Sequence, residues 1–251
     1  GDRLPAPGRN LGLNSEDAAG GQDVKDVLPL LQKQRDLEKA FVAEAAPNKE
    51  PPSGWTPSMT MFHIAGWRER LWNGLTEAAA ERPVNAPPGN IDEVNDTEME
   101  GAVGVSLADA AARADANLTS IIAMWQTMGD QPFSWFAAET VGEAILRNSY
   151  LHPRVHLADQ YMKRGETARS RRLTEETVSE LRAIDAPSRV LGAAIYNLAA
   201  ARATQLQTDE ALQLLEESFT MREDLRAAAA GDEDFASMRS EARFRALIFT
   251  K

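Results

Sequence analysis

The chain contains no cysteine and only three histidines. The first absence removes thiolate nucleophiles, Cys-ligated zinc, iron–sulfur clusters and disulfides together, so any metal must sit on His, Asp or Glu. No run of about 18 apolar residues occurs, so the sequence offers no spanning helix and no membrane partner is expected. Positive charge is also scarce. Against 38 Asp and Glu there are 27 Lys and Arg, a net charge of −11, and the molecule as a whole repels polyanions. Nucleic acid is therefore not an expected partner, because little counterion release is available to drive binding. A Gly-rich phosphate loop is missing too: GGQDVK and AGWRER lack both the spacing and the Lys-Ser/Thr ending. So is the G-x-S-x-G of a serine nucleophile elbow. Val, Ile, Tyr and Phe are sparse while Ala, Leu, Glu, Arg and Gln abound, which favours helix over sheet. With 251 residues and 43% apolar content the chain can bury a sizeable core, and an all-α fold is expected.

Residues 1–21 mix Gly, Pro, Asn and charge without an apolar period and read as a flexible tail. They lack the charged start and apolar stretch of a signal peptide, a leader already removed would leave no trace, and the default expectation is a cytoplasmic protein. From 22 to 46, Val24, Val27, Leu28, Leu31, Leu37, Phe41 and Val42 recur at helical steps. A second helix is expected from Pro57 to Glu81, with Met59, Phe62 or His63, Trp67, Arg70, Leu71, Gly74 and Leu75 inward. The stretch 82–105 reads as a long connection holding a short helix at 91–99, and loops of this length are usually functional or mobile. Ser106 opens a third helix as a cap and Gly129 closes it. After QPFSWF, a fourth is expected from Ala138 to Lys163. Four such helices make a bundle. Shorter helices follow at 168–184, 189–205, 209–221 and 233–249, and the basic cluster Lys163 to Arg172 between the two regions reads as a solvated linker or an anion site.

His152 and His156, in YLHPRVHLADQY, stand i, i+4 on the fourth helix, so both imidazoles leave one face about a turn apart and can share one cation. No Glu follows the first His, which separates the pair from the metalloprotease motif. Pro153 cannot donate to the carbonyl of Ser149, so the helix must kink or restart there. His63 lies beside Trp67 on the inward side of the second helix and is either an ordinary core histidine or a third ligand. The five tryptophans read as core or pocket wall, since no basic surface accompanies them.

The segments WTPSMTMFHIAGWRER (55–70), the loop with Asn95-Asp96, and NSYLHPRVHLADQY (148–161) resemble the DinB-like (DinB/YfiT) metalloenzyme family over residues 22–165. The resemblance implies a four-helix bundle with His63, His152 and His156 as ligands of a divalent transition metal, zinc, nickel or iron. It also implies an enzyme acting on a small-molecule substrate, with water or a thiol cosubstrate activated by the metal; family members include thiol-dependent transferases and isomerases. Pro153 departs from the family pattern. Asn148 and Asp159 are the candidates to orient the imidazoles, with Trp67 as a pocket neighbour, and no further catalytic residue is assigned.

The stretch 193–225 resembles one tetratricopeptide repeat, with Ile195, Leu198, Ala199, Ala211, Leu215 and Ser218 at its packing positions, and Arg202 where an aromatic is usual. A single repeat cannot bury its own apolar face, so the tail either docks on the bundle or offers a groove to a protein partner. The organisation expected is therefore a tail (1–21), a DinB-like four-helix bundle (22–165) and TPR-like helices (166–251). A homodimer is compatible with it. The alternative to an enzyme is a non-catalytic metal- or ligand-binding scaffold that uses its tail for protein interaction.

Overall fold

The computed structural model describes residues 26–45, 54–85 and 91–249; the expected tail and Val24 lie outside them. Among the described residues the chain forms eleven α-helices and one two-stranded antiparallel hairpin. No helix among them is long and apolar enough to cross a membrane. Helix α1 (Leu28–Glu44) is followed by α2 (Pro57–Ala79), which starts where Thr56 accepts the N–H of Met59 and Pro57 supplies a preset φ. Helix α3 (Ile91–Glu100) is the short helix of the long connection. Helix α4 (Leu107–Met128) is capped by Ser106, whose hydroxyl accepts from Asp109 N–H, and ends at Gly129 with φ +64°. Contacts between Ala65 and Asn117, Arg68 and Ala114, and Glu69 and Arg113 run in opposite order, so α2 and α4 are antiparallel.

The segment expected to lead straight into the fourth helix instead folds as a hairpin, β1 (Pro132–Trp135) and β2 (Ala138–Thr140). Phe133 and Trp135 are the buried members of β1's alternation, the pattern of a strand with one face on the core. Phe136, at φ +50°, makes the turn. Helix α5 (Val141–Ile145) then begins under a Thr140 cap, passes through a π-helical turn (Leu146–Leu151) and continues as α6 (His152–Lys163). In the π turn the His152 N–H reaches the carbonyl of Arg147, five residues back. The interruption expected at Pro153 is thus a widened turn. The Ser149 carbonyl that Pro153 cannot serve accepts instead from the Arg68 guanidinium at 3.3 Å.

Beyond a tight turn at Gly165 (φ +78°) come α7 (Thr167–Ala183), α8 (Ser188–Thr204) and α9 (Thr208–Met221). A short helix not expected, α10 (Leu225–Gly231), comes next, and the helix expected over 233–249 is divided into a 3₁₀ turn (Glu233–Met238) capped by Asp232 and α11 (Ala242–Phe249). The basic cluster does not run free as a linker. Lys163 pairs with Asp159, Arg164 covers the Phe41 ring, and Arg169 pairs with Glu44 while lying over Tyr161. Helices α8 and α9 form an antiparallel pair in which Ile195, Leu198, Ala199, Ala211, Leu215 and Ser218 are all buried, and Arg202 bridges Glu175 and Glu210.

One apolar core joins the two regions. Leu30, Leu31, Leu71, Leu118, Ile145 and Tyr150 pack in the same cluster as Val178, Leu181, Val190, Ile195 and Leu198. A buried polar chain follows the same seam. Arg68 holds Glu38 bidentately (2.6 and 2.8 Å) and Gln34 donates to Glu38. Arg154 donates to Gln34 and pairs with Glu180, which also takes the Tyr150 hydroxyl. The arginine on the inward face of α2 is thus Arg68 rather than Arg70, while Met59 and Phe62 are only partly covered.

Candidate metal centre

All three histidines of the chain come together at one point. His63 projects from α2, while His152 and His156 stand one turn apart on α6. Nε2 of His152 lies 3.1 Å from Nε2 of His63 and 2.9 Å from Nε2 of His156, and the three candidate donor atoms fall within 4.8 Å of one another. Tetrahedral zinc–imidazole bonds of about 2.0–2.1 Å place neighbouring nitrogens about 3.3 Å apart. Closing on an ion would open the two short edges by a few tenths of an ångström and draw the third, up to 4.8 Å, in by about 1.5 Å.

Two-centre hydrogen bonds do not meet both short contacts at once. A neutral ring nitrogen carries either one proton or one lone pair, and His152 Nε2 faces two imidazole nitrogens at once. A cation would accept all three lone pairs together. Burial keeps the rings in the neutral form that ligates: it holds His63 and His152 well below the ordinary imidazole pKa and takes His156 down to about 4. Their mutual proximity adds to the effect at His63 and His152.

The surroundings fix the rings. Trp55 stacks on His156 with centroids 5.5 Å apart and tilts against His63 at 4.7 Å. Gln160 pins that tryptophan through its carbonyl at 2.8 Å. Trp67 stands against His63 and His152, each at 6.2 Å, so the expected pocket neighbour is in contact with two of the rings. Its indole N–H donates to Asn95 of α3.

The two residues expected to orient the imidazoles are placed otherwise. Asn148 donates to the Trp67 carbonyl at 3.0 Å, tying the π turn to α2 beside the rings. Asp159 is 46% exposed at its side chain and pairs with Lys163 at 2.6 Å. The carboxylate that does reach a ring is Glu98 of α3, whose Oε2 lies 3.2 Å from His63 Nδ1 while its Oε1 takes the Arg70 guanidinium at 2.8 Å. A carboxylate on Nδ1 fixes the tautomer that leaves Nε2 free to ligate. Burial raises the pKa of Glu98, and Arg70 opposes that rise. Gly66 makes the approach possible, since a Cβ there would stand 1.6 Å from Glu98 Oε1. Sequence reasoning missed Glu98 because it lies 35 residues from its partner on a short acid-rich helix. Arg68 was more visible: Ile64, Arg68, Leu71 and Leu75 keep one helical stripe, and a charge on such a stripe demands a buried partner.

No family model, curated protein or solved structure matches this chain. What the fold and the site define by themselves is a helical protein with a buried three-histidine cluster able to hold a metal ion.

Proposed function

We propose that the protein is a metal-dependent enzyme of the DinB-like class acting on a small molecule, with zinc, nickel or iron held by His63, His152 and His156. The observation that carries this reading is the convergence of three histidine Nε2 atoms on one point. An ion held there would supply Lewis acidity to water or a thiol cosubstrate. The chain's own part is to hold three neutral imidazoles, to fix His63 through Glu98, and to exclude bulk water with Trp55 and Trp67. The same convergence also serves a scaffold that merely binds a metal. The enzyme reading gains from His152, the half-buried member of the three, which lines two cavities.

Protein purified without a polyhistidine tag and dialysed against zinc, nickel or iron should retain about one ion per chain by elemental analysis. His152→Ala should lose it. Wild-type protein that takes up none of the three ends the metal reading.

Gly66→Ala tests the role of Glu98 without touching a ligand. In an uninterrupted helix the change favours α2 by up to about 1 kcal/mol, yet the new methyl drives the Glu98 carboxylate off His63. The displaced carboxylate also leaves Arg70, so we expect the metal-free protein to melt no higher than wild type, and zinc affinity about 10- to 100-fold lower. Unaltered affinity in a chelator competition would show that Glu98 does not set the ring.

A further inference from the structure

Helix α7 runs against the direction of both its neighbours. Arg154 of α6 donates to Thr177 while Arg169 lies over Tyr161, so α6 and α7 are antiparallel. Arg202, near the end of α8, reaches Glu175, and only residues 184–187 join α7 to α8, so this pair is antiparallel too. The first turns of α7 therefore stand where α6 and α8 finish. A cavity of about 410 Å³, in the size range of small-molecule pockets, lies between the three helices.

Most charged side chains around this cavity are engaged. Arg147 and Asp234 have interactions of their own. Arg154 pairs with Glu180, Asp159 with Lys163, and Asp232 accepts the Tyr196 hydroxyl at 3.0 Å. Arg171 differs from them: it is exposed, and its guanidinium makes no hydrogen bond or ion pair among the described residues.

The neutral groups on the same wall are uncommitted as well. Ser170 is 7% exposed, yet its hydroxyl has no hydrogen-bond partner among the described residues, and the side-chain amides of Asn197 and Gln205 have none either. Thr174 and Thr204 give their protons to the carbonyls of Ser170 and Ala201, and their oxygens can still accept. Across the cavity α6 turns Val155, Ala158 and Met162 inward, while Ala193, Ala200 and Ala201 keep the α8 side shallow. One cation, two amides and three hydroxyl oxygens facing an apolar strip are matched by a ligand that brings a negative charge and several hydroxyls on a carbon body, because each group in the wall then gains the partner it lacks.

We propose that the cavity between α6, α7 and α8 binds a small polyhydroxylated anion, a sugar acid or a sugar phosphate, whose charge meets Arg171 and whose hydroxyls meet Ser170, Asn197 and Gln205. The site does not depend on a metal at the three histidines. It gives the C-terminal helices a part in ligand binding, since α7 and α8 supply all four of those residues.

Gluconate and glucose 6-phosphate are the anionic probes; sorbitol carries the hydroxyls without the charge, and hexanoate the charge without the hydroxyls. Each is titrated by calorimetry into the full chain as purified, with zinc uptake measured on a separate sample. At least one anionic polyol should bind, with sorbitol and hexanoate about ten-fold weaker or worse, because a charge-assisted bond or several neutral ones are lost. The tighter of the two anions tells whether the charge recognised is a carboxylate or a phosphate. Arg171→Gln should bring the anionic polyol down to the level of sorbitol, and Ser170→Ala should weaken it about three- to ten-fold. Both variants should melt with the wild type, since neither group is bonded to the rest of the chain. Failure of both anionic polyols to bind overturns the proposal, as does equal binding of sorbitol or of hexanoate, or an affinity unchanged in Arg171→Gln. Zinc uptake without such binding sinks this inference alone; such binding without zinc uptake sinks the metal reading alone.

Discussion

A chain ending at Gly165 should not fold cooperatively. Its removal of α7 to α11 takes Val178, Leu181, Val190, Ile195 and Leu198 out of a core they share with Leu30, Leu31, Ile145 and Tyr150. Each such side chain stabilises by roughly 1.5–3 kcal/mol when buried, so the loss is on the order of 10 kcal/mol, comparable to the about 5–15 kcal/mol of a whole domain. The polar seam is cut as well. Arg154, Lys33 and Tyr150 all lose Glu180. Circular dichroism should record a broad, low melt or aggregation. A sharp transition within a few degrees of the full chain would show that the first four long helical segments are self-sufficient and that the tail is a separate module.

Arg68→Met should cost about 3–5 kcal/mol. The reason is asymmetry: Glu38 stays buried with its charge uncompensated, and the Ser149 carbonyl above Pro153 loses its donor. Removing both charges in Arg68→Met/Glu38→Leu should recover much of the loss, because two desolvated ions leave together. A deficit of about 1–3 kcal/mol should remain from the orphaned carbonyl. At roughly 2–4 °C per kcal/mol for a chain of this size, the single variant should melt about 10 °C lower. A single variant that melts with the wild type would mean that the pair holds nothing. The zinc affinity of the double variant adds a second readout, since Ser149 lies three residues before His152 and its support is absent there too.

The parts of this fold that were legible in the sequence are those set by neighbours. Pro57, Ser106 and Gly129 begin or end helices through their own dihedrals and side chains, and the bounds of α2 and α4 follow from them. The short helix in the long connection was legible from its own pattern. The hairpin was not, because Phe133 and Trp135 make only two steps of alternation and each strand gains its stability from the core beneath it. The break of the last helix into two pieces was hidden for a related reason: Asp232 caps a turn and binds Tyr196, 36 residues away.

The site divides in the same way. The three histidines could be found because the chain has no others and their stripes face inward. Glu98 and the placing of Arg147 could not, since each depends on a pairing across elements or on a turn whose geometry is not α-helical. Asp159 was chosen because it lies three residues from His156, but four residues on the same helix offer it Lys163, a charged partner with which it pairs at 2.6 Å.

The π turn at Leu146–Leu151 also alters how this chain must be compared with others. A π turn carries one more residue than the α-helical turn it replaces, so the segment before it is out of phase with the segment after it by about 100°. A relative whose helix runs α-helically through this point would have one residue fewer, and an ungapped alignment anchored on His152 and His156 would then pair Arg147 with the wrong column. An alignment that permits a single gap between 146 and 151 restores both halves, so that residues on either side of the turn are compared with their true counterparts.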